Sequence, residues 1–410
     1  MSNFSNRKSL PAEAPTGQLL TYFQPIIALE TRSIVGYETL GRQVVEGAVR
    51  SLGPFFTDDS ISVKEHVRVD RLLREQALAK LSTIKNPPML FVNLKPSWIY
   101  EQYKLIGELH TLQLLEKYEI PPNRICIEIT EGEFKGSMSE LGEIINLYRE
   151  AGCQIAIDDI GTGFSNFDRI AEIQPNLLKV DVLLMKKSAN HNGYLGTLRS
   201  FSSLAEQIGA SLLIEGVESE QDLKRAVQIG ARYVQGYLFS PAVPEFYSAD
   251  AFTSLIESEL SNNRRRLRES ISHWDDVGSA LIDTLRLNDI GHTSELTEPD
   301  LADRAIERLL PALDISCLRV YVCDNDGVQL SSNYMRTDRE GWRVETQYRN
   351  ADWSWRPYFV PHLSHEHSRV EARLSLRYSD LETHAWIRTV SIPLGPTVIL
   401  LMDIADPTDL

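Results

Sequence analysis

Six short apolar runs in this chain each end in a polar residue able to bind metal or phosphate, and stretches of helical length separate them. The polar residues are Glu38 after Ser33–Tyr37, Asn93 after Met89–Val92, Glu128 after Arg124–Ile127, the pair Asp158 and Asp159 after Gln154–Ile157, Lys179 after Leu177–Leu178, and Glu215 after Leu212–Ile214. If they meet, five carboxylates and one lysine sum to −4 (five acids less one base), more charge than a cavity holds ionised without counter-ions. Two divalent cations would cancel it. The donors are oxygens, with an Asn amide and no His or Cys, which favours hard ions such as Mg²⁺ or Mn²⁺ over Zn²⁺. Adjacent strand residues point to opposite faces, so Asp158 and Asp159 can share a site only where the strand has ended. The Gly161-Thr162-Gly163 that follows supplies such a turn. One Asp could then bridge two ions about 3.5–4 Å apart, a geometry that activates water and stabilises the leaving oxygen of a phosphodiester. Lys179 would orient that water or neutralise phosphate charge, and Arg42, four residues past Glu38, suits bidentate phosphate contact. Any one of these acids could be a helix cap or a solvated ion pair. Six in register are hard to explain that way.

The elements that must position these groups follow from the spacing. Apolar runs of this length, alternating with helices, read as buried parallel strands. The expected fold class is α/β: an eight-stranded (β/α)₈, TIM-like barrel, in which residues just past the strand C-termini converge on one face. The barrel would begin at Leu19–Ala28, with helices at Val63–Leu81, Tyr100–Tyr118, Ser137–Glu150, Tyr194–Ile208 and Glu220–Val227. The expected division is a polar lead over 1–18, the barrel over 19–246, a linker helix over 247–290 and a smaller α+β domain over 291–410. Leu255, Ile256, Leu260, Leu267 and Ile271 recur at helical spacing in the linker, and its Arg264, Arg265, Arg266 and Arg268 read as a solvated face. Past Gly291 come short β-rich runs at Cys317–Cys323, Trp342–Tyr348, Arg373–Tyr378, Trp386–Ile392 and Val398–Asp403, broken by turn signals such as Asn325-Asp326-Gly327.

Composition bounds the partners. The 410 residues carry 24% charged and 42% hydrophobic residues, which describes a globular chain of two or three domains. The 42 basic and 57 acidic residues give a net charge of −15, which argues against a DNA- or RNA-coating protein but not against a small phosphate ligand in a local pocket. Cys126, Cys153, Cys317 and Cys323 have neither CxxC spacing nor secreted-domain density, so buried free thiols in a reducing compartment are expected. With no signal-peptide core and no run of about 18 apolar residues, a soluble cytoplasmic protein without membrane contact is expected.

Glu38-Thr39-Leu40 with Arg42 resembles the signature of EAL-domain cyclic-di-GMP phosphodiesterases, and the later motifs follow in order. These are Asn93, Glu128-Ile129-Thr130-Glu131, Asp158-Asp159-Ile160-Gly161, Lys179 in Leu-Leu-Lys-Val-Asp, Glu215-Gly216-Val217-Glu218, and Gln235-Gly236-Tyr237; Gln24-Pro25-Ile26 looks like the family's opening strand. The likeness covers roughly residues 19–245. It implies that Glu38, Asn93, Glu128 and Asp158 hold one metal, that Asp158, Asp159 and Glu215 hold a second, and that Lys179 and Glu215 are catalytic, Lys179 by positioning the attacking water. It implies nucleotide contacts from Gln24, Leu40, Arg42, Asn93 and Gln235, with Glu131 and Glu218 in support, Glu131 bracing the loop after Asp159. The reaction implied opens one phosphodiester of cyclic di-GMP to give linear pGpG with Mg²⁺ or Mn²⁺, in a homodimer joined through the barrel. Thr39 stands where the family has Ala, Gly41 where it has a larger residue, and Ile160 where Phe is common, while every acid and the Lys are retained. A non-hydrolysing cyclic-di-GMP effector and a barrel enzyme acting on another phosphodiester or an enolate are the alternatives.

The chain also resembles YkuI-type EAL proteins, which carry a PAS-like (Cache-related) sensor domain after a linker helix. The resemblance rests on Ser51-Leu52-Gly53-Pro54-Phe55-Phe56, Trp353-Ser354-Trp355-Arg356-Pro357-Tyr358-Phe359 and Tyr378-Ser379-Asp380-Leu381-Glu382-Thr383. It implies that Trp355, Arg356, Tyr358 and Asp380 cage a small charged ligand; the same aromatics would otherwise be core and dimer packing.

Overall fold

Residues two apart on a strand share a face, and that alternation builds the N-terminal half. The computed structural model describes residues 15, 17–130, 137–161, 167–188, 191–290, 294–337, 341–360 and 371–406. They form two compact units, Met1–Asn263 and Arg264–Leu410. The first unit holds strands β1 (Gln18–Ala28), β2 (Ser33–Val45), β3 (Ala48–Ser51), β4 (Met89–Leu94), β5 (Ile125–Thr130), β6 (Gln154–Ile160), β7 (Leu177–Val180), β8 (Ser211–Ile214) and β9 (Tyr233–Val234). They run β1-β9-β8-β7-β6-β5-β4-β2, and β1 pairs β2 to close an eight-stranded barrel, with β3 a hairpin extension of β2.

Ile26, Phe91, Cys126, Ala156, Leu177 and Leu213 fill the interior. Their strand neighbours, among them Val92, Ile127, Ile155, Ile157, Leu178 and Leu212, pack in the main core outside it. Burial on both faces explains why these runs are continuously apolar. Around the barrel lie α1 (Gly53–Phe56), α2 (Val63–Leu81), α3 (Pro96–Ile106), α4 (His110–Lys117), α5 (Met138–Ala151), α6 (Phe167–Ile173), α7 (Val182–Ser188), α8 (Asn192–Ile208) and α9 (Glu220–Ile229). Helix α2 starts at Ser62, whose side chain accepts from the Glu65 amide, and α5 starts with a reciprocal Ser137–Glu140 capping box.

Three expectations are corrected here. The strands are not all parallel: β1 runs antiparallel to both β2 and β9, because only a short turn joins β1 to β2 and a parallel pair needs a long crossover. Strand β2 does not end at Tyr37, but pairs with β4 only over Gly36–Glu38 and continues to Val45 against β1 and β3. The helix expected over Tyr100–Tyr118 is two helices, parted where Gly107 takes φ +77° at the end of α3.

The division between the units falls inside α10 (Thr253–Leu287). The second unit adds α11 (Pro299–Leu309) and strands β10 (Cys317–Asp324), β11 (Asn333–Thr337), β12 (Gly341–Glu345), β13 (Arg373–Leu374), β14 (Tyr378–Ser379), β15 (Trp386–Pro393) and β16 (Val398–Ala405). The sheet order is β12-β11-β10-β16-β15-β13, with β14 also on β15, and every pairing is antiparallel. Ala302, Ala305, Ile306 and Leu309 of α11 cover one face of that sheet. All four cysteines are buried and free. Among the described residues no helix is long and apolar enough to cross a membrane.

Candidate active site

The interior layer of the barrel predicts where its polar layer lies. Phe91, Cys126, Ala156, Leu177 and Leu213 point inward, so the residues two further on, Asn93, Glu128, Asp158, Lys179 and Glu215, follow on the same side toward the C-terminal rim. Register brings them together: Asn93 lies opposite Glu128, and Asp158 opposite Thr130. Lys179 is fully buried at the centre, its Nζ 2.6 Å from Glu128 Oε1, 2.7 Å from Glu215 Oε1, 3.2 Å from Asp158 Oδ1 and 3.9 Å from Glu38 Oε2. Glu38 is held on its other side, where Asn93 Nδ2 donates at 3.0 Å and Gln235 Nε2 at 2.6 Å. Gln235 also donates to Gln24 Oε1, and Gln24 donates to the Ser240 carbonyl.

Asp158 and Asp159 are brought to one rim by a different device from the glycine turn expected. Strand β6 continues to Ile160, and its pairing with β7 slips between Ile157 and Ile160. Asp159 itself takes the left-handed conformation, φ +59°, inside that irregularity. A bulge lets consecutive residues turn to one side, at a cost of about 1–3 kcal/mol for a non-glycine residue in that region.

The electrostatics ask for cations. Burial pushes the Glu128 carboxyl well above its ordinary range even with Lys179 beside it. Glu215 is raised to about 8 by burial, against the pull of Lys179. Asp159 is raised to about 6 by burial and then by Asp158. Burial pulls the Lys179 ammonium down, but Asp158, Glu128, Glu215 and Glu38 together outweigh it and hold it well above its ordinary value. Neither oxygen of Glu128 has a well-aligned hydrogen bond, despite complete burial. Among the described residues, Asp158, Asp159 and Glu215 each offer an oxygen within 4.8 Å of the others. An oxygen-only donor set with orphaned carboxylate atoms fits hard divalent ions.

Beside this cluster opens a cleft of about 400 Å³, within the usual range for small-molecule sites. Asn93, Asp158, Asp159, Leu40 and Arg42 border it. Gln24 and Gln235 do not; Gln235 orients Glu38, and Gln24 in turn accepts from Gln235. Glu218 is not in a supporting position either, for it is exposed and pairs with Lys186 at 2.6 Å. Glu131 lies outside the described residues.

Three cleft residues were missed from sequence: Arg74, Lys95 and Trp98. Arg74 is buried, bonds Asp70 at 2.6 Å and reaches the Asn93 carbonyl at 3.5 Å. Lys95 sits 4.8 Å over the Trp98 ring and donates to the Phe56 carbonyl. Lys95 was findable, being two residues past Asn93 and directly before the Pro that opens α3, at the strand end where sites are built.

The second unit contains a cavity of about 200 Å³ bordered by Trp355, Arg356, Tyr358 and Asp380, the four residues singled out from sequence, and also by Arg319 and Asp403.

Residues 7–242 match the model of the EAL domain, and residues 280–407 match that of an EAL-domain associated signalling protein domain. The chain belongs to the EAL-domain family. It is 33% identical over 396 residues to the uncharacterized EAL-domain containing protein YkuI of Bacillus subtilis, covering 94% of each chain. It is 32% identical over 242 residues to the cyclic di-GMP phosphodiesterase RocR of Pseudomonas aeruginosa, covering 57% of this chain and 60% of that one. The crystal structure of B. subtilis YkuI in complex with substrate c-di-GMP and calcium superposes with a TM-score of 0.83 at 31% identity, over 95% of this chain and 97% of that one. A c-di-GMP-bound standalone EAL protein from Vibrio cholerae matches with a TM-score of 0.51 at 26% identity, over 58% of this chain and 98% of that one.

Departures from the usual EAL signature have local reasons. The Thr39 hydroxyl donates to the Phe91 carbonyl at 3.0 Å, tying β2 to β4 where Ala could not. At Gly41 a Cβ would lie 2.7 Å from Leu73 Cδ1 and 3.1 Å from Leu52 Cδ1, so those leucines fill the space.

Proposed function

We propose that this EAL protein hydrolyses one phosphodiester of cyclic di-GMP, giving linear pGpG, in a reaction that requires divalent metal. The observation that carries the proposal is the ring of Glu38, Glu128, Asp158 and Glu215 around Lys179, which reaches through Asp158 into a cleft of about 400 Å³. A relative matching nearly the whole chain and solved with that nucleotide and calcium supports the substrate.

In this reading Asp158, Asp159 and Glu215 would hold one ion, and Glu38, Asn93 and Glu128 would share Asp158 for another, both Mg²⁺ or Mn²⁺. Bound ions would supply Lewis-acid charge and a water acidified for attack. The chain supplies the rest. Asn93 and Gln235 fix the Glu38 carboxylate, and the Asn93 amide nitrogen, spent on Glu38, leaves its oxygen as the donor for an ion. Lys179, charged and anchored by acids, offers a donor that positions the attacking oxygen or meets charge developing on phosphate. Arg42 and Lys95 bring positive charge to the cleft for the phosphates, while Leu40, Phe56 and Trp98 give apolar contact for a base. Gln24 acts through Gln235. The protein would work in the cytoplasm as a homodimer, its C-terminal unit a PAS-like regulator whose cavity takes a small molecule.

The test is incubation of the full-length protein with cyclic di-GMP and Mg²⁺ or Mn²⁺, then with EDTA, resolving pGpG by chromatography. Metal-dependent pGpG is the expected result. Nucleotide binding without product in any metal would replace the enzyme with an effector.

A further inference from the structure

We propose that the pocket between α2 and the start of α4 is a site for one small inorganic oxyanion of the phosphate type, held by Arg71, Arg74 and the first amides of α4. The site goes beyond the phosphodiesterase reading of the barrel and does not depend on turnover.

The pocket is a cavity of about 30 Å³. A buried water needs roughly 10–15 Å³, so there is room for an ion of a few atoms and not for a nucleoside. Arg74 and Lys95 border both this cavity and the larger cleft, whereas Arg71 and His110 border only this one. Three bases, Arg71, Arg74 and Lys95, face two acids, Asp70 and Glu108, which leaves one positive charge. Asp70 is already spent on Arg74 at 2.6 Å, and Glu108 is exposed and accepts from the Gln113 side chain. Arg71 donates to Gln102 Oε1 at 3.2 Å and meets no acid at ion-pair distance among the described residues.

The donors around the cavity are unspent. The Arg74 side chain is 5% exposed, yet its Nε makes no hydrogen bond, while its Nη groups reach Thr111 Oγ1 at 3.3 Å and Asp70. His110 Nδ1 is likewise buried without a partner. Helix α4 opens at Leu109, whose side chain cannot cap it, and the first amide bonded back along the helix is that of Gln113. The amides of His110 and Thr111 are thus left for an outside acceptor. A helix N-terminus favours an anion, and a guanidinium favours an oxyanion that it can meet with two N–H groups. Burial, and then Arg71 and Arg74, push the His110 imidazole below its ordinary value, which marks positive potential at that spot. Water alone would satisfy the orphaned atoms and leave that charge unmet, and a cation would add to it.

The test is isothermal titration of the metal-free full-length protein with inorganic phosphate, in dilute Tris chloride without other oxyanions, for the parent and three variants. Arg42→Gln removes the phosphate contact in the cleft. Arg71→Gln deletes one of the site's bases, and His110→Pro deletes an amide and the imidazole at the first helical position, where proline is tolerated. Phosphate should bind the parent and Arg42→Gln alike, and Arg71→Gln and His110→Pro at least tenfold more weakly. Both of these variants should keep the parent's thermal midpoint in the absence of phosphate. Undiminished affinity in either Arg71→Gln or His110→Pro would overturn the proposal. Loss of binding in Arg42→Gln would also overturn it, by placing the ion in the cleft. Neither binding heat nor a phosphate-dependent rise in the thermal midpoint would show that water alone fills the pocket.

Discussion

Replacing Lys179 by Met keeps most of the side chain's volume and deletes a positive charge within 4 Å of four carboxylates, three of them at 3.2 Å or less. At an effective dielectric near 20, each of the close contacts is worth roughly 5 kcal/mol before desolvation is subtracted. Severing a buried pair usually leaves a net loss of about 3–5 kcal/mol, because the surviving acids stay buried without compensation. For a unit of this size that loss lowers the unfolding midpoint by on the order of 10 °C. Divalent metal should restore more of the midpoint in Lys179→Met than in the parent, since the variant cluster is more negative by one charge. Turnover should not return with it: loss of a positioned proton or charge donor costs about 10²–10⁴-fold. Two assays check the reasoning, thermal unfolding in EDTA and in Mg²⁺ or Mn²⁺, and pGpG formation in metal. A variant that melts with the parent in EDTA would refute the electrostatic account, and one that turns over within tenfold of it would refute the catalytic role.

The raised acids make a pH prediction with a definite sign. A carboxyl whose pKa is higher folded than unfolded stabilises the fold at low pH and loses that contribution as pH rises through the folded value, so the metal-free protein should lose roughly 2–5 kcal/mol between pH 4.5 and 8, where Glu215 ionises. Urea unfolding in EDTA across that window checks it, and stability flat or rising with pH would contradict it. Gly41→Ala should cost about 1–3 kcal/mol through the clash with Leu73 and Leu52; a thermal midpoint equal to the parent's would show that those leucines have room to move. Arg319→Met should destabilise the C-terminal unit by about 3–5 kcal/mol, as Asp380 and Asp403 lose their shared partner, and calorimetry should place the shift in that unit's transition and leave the barrel's alone.

The candidate site was legible because strand periodicity and strand ends are local properties. Asn93, Glu128, Asp158, Lys179 and Glu215 each close an apolar run, and the barrel rule converts that position into convergence. What escaped depended on distant pairing. Nothing within Ser33–Val45 says that β2 leaves β4 after Glu38 and continues against β1, since the partner decides it. Arg74 was invisible for the same reason: on α2 it reads as one more helical Arg, and only the fold sets it against the Asn93 carbonyl. The break at Gly107 and the helix at Pro299–Leu309 do carry local signals, a helix-ending Gly and an N1 Pro. In the second unit, Asn333–Thr337 has no alternation strong enough to mark a strand, and its place beside β10 settles it.

The barrel also departs from what stability alone would select, and the departures coincide. A left-handed aspartate, a slipped strand pair, and a buried lysine and glutamate that meet without a well-aligned hydrogen bond all fall within the same few residues of one rim. Each is unfavourable by itself, and together they would be stabilised by apolar replacement. The interior layer directly below, Phe91, Cys126, Ala156, Leu177 and Leu213, shows that the same strands pack conventional apolar side chains two residues earlier. Local conflict confined to one layer of an otherwise consistent barrel is the mark of a site held for chemistry. It also gives the cations a structural role, because whatever neutralises this rim stabilises the fold in proportion to its affinity, so that occupancy by metal and stability of the barrel are one linked equilibrium.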